Sequence, residues 1–454
     1  MLAIVKRVLR ESVSKKTVPH NCDQRYIAFP ITSKTLQRSF LLFPAPCSLL
    51  PTPYSLLPTP YSLLPTPYSL LPTPYSLLPT PYQIMIQLLD SRAIQPSQVA
   101  NQQLLDVLDD IVNKVKIQSD FSIHHSDYKP LEIPAEAVER FQRMPEDMQQ
   151  KYISLQLRSF LYGIYYNGSM RDALAPEADT EAAPLDLENN TILGVDVGFY
   201  QRLHDSNSGK GYFAPGWSVL REESDGTLAV TNGGLRLHIE REQHLPASQQ
   251  SATVGDSVAI RMPKNLVQNG FYMAVGNLEA NRPQTDQSVT VRIYFNLTPD
   301  GAVAVMGSLT QQLNEIEIPF HFKVLYNPKD YERHDSGVLY FDKCHYEAVE
   351  GVLKTVYTEH QSHFQPEVPL FTMELAPGLG LAEEPDQKFA EQESFGMNRC
   401  QIVANGLLEA WNQGDDSTEG RMKAILGEFS RLGIDLQRVY LNANSEDIYQ
   451  CLDI

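Results

Sequence analysis

The chain has 454 residues, 42% of them hydrophobic and 20% charged, a globular composition with material for more than one domain. Lys and Arg total 37 against 55 Asp and Glu, a net charge of −18, and this argues against general nucleic-acid binding, which needs a basic face. No apolar run approaches the roughly 20 residues of a membrane-spanning helix, which excludes an integral membrane protein. The five cysteines, Cys22, Cys47, Cys344, Cys400 and Cys451, form no CxxC pair, so neither a disulfide framework nor a zinc ribbon is implied and the reduced cytosol is the expected setting.

The front of the chain is a different material. SLLPTPY occurs five times without error from Ser48 to Tyr82. Two prolines in every seven residues forbid a helix, and the unit is far shorter than a solenoid repeat. The tract reads as extended, disordered or polyproline-like. Five identical copies also look like a DNA tandem repeat translated in frame, and the body is then expected to begin at Met85. Charge changes at the same place: residues 1–84 carry 8 basic and 2 acidic residues, leaving the remainder at −24. The expected organisation is therefore 1–84 as a Pro-rich low-complexity segment, followed by the body.

From Pro96 to about Ile117 the apolar residues Val99, Leu104, Leu108, Ile111, Val112 and Val115 recur at helical spacing. A second helical region is expected from about Ala135 to Tyr166, broken near Pro145. Together these make a helical region over 85–166. Residues 167–190 are acidic, rich in Ala and Pro and lack aromatics, which reads as a linker. From 191 to 454 the pattern is strand-rich first and helix-rich later. Strands are expected near 217–222, 227–231, 235–241, 256–262, 270–277, 288–297, 316–326, 336–342 and 368–374. Helices are expected near 194–206, 301–313, 343–362, 394–412 and 417–431. The fold class is α+β: a helical N-terminal region packed on a mixed or antiparallel sheet domain with C-terminal helices.

Three strands share one asymmetry. Leu235, Leu237 and Ile239 alternate with Arg236 and His238; Val291, Ile293 and Phe295 with Arg292 and Tyr294; Phe320, Phe322 and Val324 with His321 and Lys323. Alternate residues face opposite sides of a sheet, so each strand has one apolar face and one polar face. The plain reading is a one-sided sheet with a solvated exterior. These polar faces, however, carry Arg, His, Tyr and Lys, residues that bind anions and move protons. Were two of the strands neighbours, the resulting cationic cluster would call for an anionic group such as phosphate. The following stretch adds Arg333 and Tyr340. The stretch 209–217 adds Lys210, without the spacing of a P-loop. ESFGMNRC places Arg399 at a helix start capped by Glu393 or Ser394. APGLGLAEEP reads as a Gly/Pro loop. His124–His125 and His360 with His363 read as structural rather than metal-binding, and Cys400 as a packed small hydrophobe. No HExxH, GxSxG or usable GxGxxG occurs.

The segments GKGYFAPGW (209–217), RIYFN (292–296), PFHFKVLYNPKDYERHDSGVLYF (319–341), LAPGLGLAEEP (375–385) and ESFGMNRC (393–400) resemble, in order and spacing, the HopA-type effector family, related domains of which occur in gene clusters for lanthipeptides. That family looks distantly similar to the phosphothreonine lyases, which remove phosphate by β-elimination without a metal or cofactor. The resemblance implies Lys323 as base, His238 as acid and Tyr340 as an active-site tyrosine. It implies Arg236, Arg333 and Arg399 as phosphate grips, with Arg236 standing where the lyases carry a lysine. Arg292, Tyr294, His321 and Lys210 would support them. The implied partners are a phosphorylated peptide substrate and a separate kinase or other maturation proteins. The alternative reading is a non-catalytic module holding a peptide or protein in the same groove.

Overall fold

The computed structural model describes residues 96–132, 135–177, 185–186, 191–192, 194–278 and 288–454, and the repeat tract and Met85 lie outside them. Residues Ala100–Ile454 belong to one compact unit. The helices of the described residues are α1 (Pro96–Lys114), α2 (Ala135–Gln142), α3 (Glu146–Leu161), α4 (Val197–Ser206), α5 (Arg241–His244), α6 (Pro299–Glu315), α7 (Tyr346–His360), α8 (Phe395–Asn412) and α9 (Thr418–Arg431). None of them is long and apolar enough to cross a membrane.

Local chemistry accounts for the boundaries. Thr298 caps α6 by accepting from the Gly301 amide, and Pro299 fills its first turn. Ser394 caps α8 through the Met397 amide, and Ser417 caps α9 through that of Gly420. The helical region near 135–166 breaks at Pro145, as its spacing predicts, but it ends in a π-helix, Tyr162–Tyr166. Residues 167–177 follow as turns, with Asn167 and Met170 buried.

The strands are β1 (Lys116–Ile117), β2 (Ile123–His124), β3 (Leu185–Asp186), β4 (Thr191–Ile192), β5 (Phe213–Glu222), β6 (Leu228–Asn232), β7 (Leu235–Ile239), β8 (Ser257–Arg261), β9 (Asn265–Gln268), β10 (Phe271–Val275), β11 (Thr290–Phe295), β12 (His321–Leu325), β13 (Gly337–Asp342), β14 (Met373–Ala376) and β15 (Leu379–Glu383). Seven form one sheet in the order β14-β15-β11-β13-β12-β10-β9, and four form a second in the order β7-β6-β5-β8. Every pairing in both is antiparallel.

One expectation fails instructively. The stretch expected to be a Gly/Pro loop, 376–385, holds the turn and second strand of the β14–β15 hairpin, and β15 is buried along its whole length. Gly378 makes the turn possible. Its φ is +77°, and a Cβ there would sit 2.1 Å from the Gln365 carbonyl oxygen. The glycines that suggested a loop let this strand pass closely between β14 and β11, where a Cβ at Gly380 would lie 2.6 Å from Thr372 Oγ1.

The seven-stranded sheet is covered on both faces. On one, Ile293, Phe295, Phe322, Val324, Leu339 and Phe341 pack with Val305 and Leu309 of α6 and Val349 and Leu353 of α7. On the other, Tyr294, Val338 and Ala382 pack with Phe160, Tyr166, Phe395, Val403 and Ile425. That second layer joins α1, α3 and the π-helix to α8 and α9. Each fully buried side chain of this size stabilises by roughly 1.5–3 kcal/mol. The four-stranded sheet has its own small core around Trp217, Val230, Val258 and Ile260.

Helices α8 and α9 cross at Gly406, where a Cβ would lie 2.5 Å from the Ile425 Cα. Gly406→Val must push the helices apart. A loss of about 1–3 kcal/mol in chemical denaturation is expected, and an unchanged midpoint would show that the crossing is not so close.

Candidate functional site

The pairing register decides which polar residues meet. Arg292 on β11 stands opposite Tyr340 on β13, which stands opposite His321 on β12. One step along, Tyr294, Val338 and Lys323 form the next row, with Met273 beyond. Thus β11 and β12 are not neighbours, yet both flank β13. Five of the expected residues, Arg292, Tyr294, His321, Lys323 and Tyr340, share one face of the seven-stranded sheet.

Tyr340 is the centre of this face. The Arg292 guanidinium lies 5.0 Å from its ring centroid and the Lys323 ammonium 5.6 Å from it. The same ammonium lies 4.3 Å from the Phe271 ring, close enough for a cation–π attraction. Among the described residues its one hydrogen bond is a long one, 3.5 Å to Gln268 Oε1. No carboxylate lies within ion-pair distance of Lys323 among the described residues.

The other cations of the face are matched. Arg292 is 7% exposed and ion-paired with Glu384. Burial raises the pKa of Glu384, but Arg292 and Lys388 outweigh it and hold the carboxyl below its ordinary range. Arg333, 2% exposed, grips Asp335 with two bonds of 2.6 and 3.0 Å. Asp335 also accepts from Tyr162 Oη at 3.2 Å and Asn167 Nδ2 at 3.1 Å. Burial alone would raise Asp335; Arg333, with help from Lys323 and Tyr162, depresses it. Tyr294 is 2% exposed, and its hydroxyl has no hydrogen-bond partner among the described residues. Burial raises its pKa.

The π-helix supplies the residues that the sequence did not disclose. Tyr162 and Tyr166 stack at 4.9 Å, and Tyr166 meets Tyr294 edge-on at 6.3 Å. Their run, YGIYY, stands at the end of the helical region expected from about Ala135 to Tyr166. Only the wider π turn, a feature often found at functional sites, sets it apart.

The remaining expected residues are elsewhere. Arg236 and His238 lie on β7, in the four-stranded sheet. His238 Nδ1 is 3.4 Å from Glu223, and among the described residues no hydrogen bond, ion pair or ring contact joins either residue to the seven-stranded sheet. Lys210 is exposed in the segment before β5. Arg399, 1% exposed, donates to the carbonyls of Val439 and Leu441 at 2.8 Å each and to Asn398 Oδ1 at 2.7 Å. Burial pushes its pKa down to about 10. In this arrangement it ties the C-terminal segment to α8. Cys400 is buried, and desolvation raises its thiol pKa, which suits packing rather than attack. No group of three or more metal-ligating side chains occurs among the described residues.

Residues 262–441 match the model of the HopA1 effector protein family, the family that the sequence motifs resemble. No curated protein matches the chain. Solved structures that align with it include two effector proteins. One is the effector protein from Pseudomonas syringae pv. tomato strain DC3000, at 16% identity and a TM-score of 0.34, over 68% of this chain and 95% of that one. The other is the effector protein from Pseudomonas syringae pv. syringae strain 61, at 15% identity and a TM-score of 0.35, over 65% and 98%.

Proposed function

We propose that this face of the seven-stranded sheet binds a phosphorylated peptide and that the protein is a lyase removing phosphate from phosphoserine or phosphothreonine by β-elimination. The observation that carries the reading is Lys323. It is a half-buried lysine beside Tyr340, with no carboxylate within ion-pair distance among the described residues. A base must be free of such a partner to take a proton.

The reaction assigns a task to each neighbour. The neutral amine of Lys323 removes the Cα proton. The released pair forms the Cα–Cβ double bond, the Cβ–O bond breaks, and phosphate leaves with its electrons. Tyr340 is placed to stabilise the enolate-like oxygen of the residue losing its proton. His321, across from Tyr340 and two residues from Lys323, takes the acid role first expected of His238. Arg292 is the phosphate grip of this face and must share its guanidinium with Glu384 to act so. A kinase acting beforehand would supply the phosphate, as in maturation of a lanthipeptide-type precursor.

The second reading is a non-catalytic module that holds a peptide on the same face. It is favoured by the commitment of Arg333 to Asp335 and of Arg399 to backbone carbonyls, which leaves fewer cations for phosphate.

Mass spectrometry of a phosphothreonine peptide incubated with the full chain separates the two. Loss of phosphoric acid, with trapping of the product by an added thiol, establishes elimination. Loss of the phosphoryl group alone means hydrolysis and another mechanism. Lys323→Ala is expected to lower the elimination rate by at least ~10²-fold, the scale of a positioned base, with peptide affinity little changed. Retained elimination would remove Lys323 from the mechanism.

A further inference from the structure

The four-stranded sheet has a cationic outer face. Its inner face, with Val219, Val230, Leu237 and Val258, closes over the small core. The register places Arg221, Ala229 and His238 together on the opposite face, and Arg236 with Thr231, Ser218 and Ser257 in an adjacent row. Arg261 and Phe213 end the same face, with the guanidinium 5.2 Å from the ring centroid. Arg221, Arg236, Arg261, Ser218, Ser257 and Phe213 are all exposed.

Charge on this face is unbalanced. Glu223 pairs with Arg221 at 2.8 Å. Arg236 and Arg261 have no carboxylate partner among the described residues. Glu222, of opposite parity to Arg221, pairs with Arg241 instead. The body around this sheet is strongly acidic, so three arginines on one open face are not explained by overall composition.

The two edges of the sheet are treated differently. The edge at β8 is closed in part by Gln249, whose Oε1 accepts from the Ala259 amide at 2.8 Å. The edge at β7 pairs only with β6 among the described residues. It carries Arg236 and an exposed Leu235. An open edge is a template for another strand.

We infer that the outer face and open β7 edge of this sheet dock an extended acidic peptide segment, separately from the face that carries Lys323. Main-chain pairing along β7 sets the direction of the segment. Carboxylates on alternate residues, the period of a strand, face the side that carries Arg236 on the adjoining β7, and Arg221 and Arg261, on β5 and β8 further across the same face, add attraction at longer range. A peptide is favoured over nucleic acid because a chain of net charge −18 repels a long polyanion at range, while a short strand needs only this face. The assignment also gives Arg236 and His238 a place in the molecule without routing them to Lys323.

Fluorescence anisotropy of the full chain with a labelled peptide of alternating glutamate and valine tests this. Binding that weakens as salt rises is expected. Arg236→Glu with Arg261→Glu should weaken it roughly tenfold or more, since both residues are exposed and close charge pairs carry energies of this order. Ser218→Lys, at the centre of the face, should tighten it. A proline-interrupted peptide of equal charge should bind less well, having lost amide donors, and Lys323→Ala should bind as the wild type does. The inference is overturned by no binding, by indifference to the charge variants, by equal binding of the proline-interrupted peptide, or by loss of binding in Lys323→Ala. Tighter binding of an oligothymidylate of the same charge would reassign the face to nucleic acid.

Discussion

Asp335→Asn is expected to cost about 3–5 kcal/mol of folding stability, the scale of a broken buried ion pair. Asparagine keeps the shape and can still meet Tyr162 and Asn167. It removes the carboxylate that the buried Arg333 fork grips with two bonds. The guanidinium stays charged in the variant, because arginine is not deprotonated in proteins at working pH, and it is then buried without its counter-charge. Replacing Arg333 by Met together with Asp335 by Leu should recover part of the loss, since apolar residues of similar size need no counter-charge. The pair also sets a pH dependence. The folded pKa of Asp335 is depressed, so its contribution is present above the unfolded carboxylate value of ~3.9 and is lost as pH falls below it through the folded value. Acid unfolding should therefore be steeper in the wild type than in the asparagine variant. Urea denaturation at neutral and acidic pH measures both effects. A variant within about 1 kcal/mol of wild type would mean that the pair is more solvated than its burial indicates.

Glu383→Ala should cost a similar amount, through a different part of the molecule. The carboxylate is fully buried and has four donors. Lys343 Nζ and Ser445 Oγ reach Oε1 at 2.8 Å, Tyr449 Oη at 3.0 Å, and the Asn442 amide reaches Oε2 at 3.0 Å. Alanine takes this acceptor from Ser445, Tyr449 and Asn442 and the counter-charge from Lys343, which keeps only Ser445 Oγ and the Glu446 carbonyl. The penalty for each buried unsatisfied group is about 1–3 kcal/mol, reduced where water can enter. Three of the four donors belong to residues 442–449, the segment that Arg399 also holds through Val439 and Leu441. Hydrogen exchange should accelerate over 439–454 before the rest of the sheet responds. Arg399→Met should loosen the same segment, and the double variant should lose less than the sum because both tethers secure one piece of chain. This separates the two roles considered for Arg399. A tether changes stability and leaves the affinity of folded protein for phosphopeptide intact; a phosphate grip changes the affinity.

The π-helix bears on the proposed site as well. Tyr162 reaches Asp335, while Tyr165, three residues on, points into a different hydrogen-bond chain with Asp110 and His125, at 2.8 and 2.7 Å. One turn of backbone thus holds the face near Lys323 on one side and α1 on the other.

Local signals in the sequence determined the helices except the four-residue α5, most strands of the two larger sheets and the α+β class. Proline and serine or threonine caps act within a turn, and apolar periodicity reports which side of an element is buried, so both are legible along the chain. The types of residue able to bind an anion or move a proton were legible for the same reason. Strand order was not. Arg236–His238, Arg292–Tyr294 and His321–Lys323 carry the same alternating pattern, and only pairing with β13 placed the last two together while sending β7 to another sheet. Alternation says that a strand has two faces and is silent on what covers them, so Arg292 and Tyr294 could pass for solvated residues although a helical layer lies over them. Arg399 shows the same limit, since its partners are carbonyls 40 and 42 residues away. β15 was lost because its glycines serve crowding by residues distant in sequence. Charge, period and capping are properties of neighbours along the chain; register, sheet order and the partners of a buried charge depend on which distant segments close upon one another, and only the tertiary structure decided those.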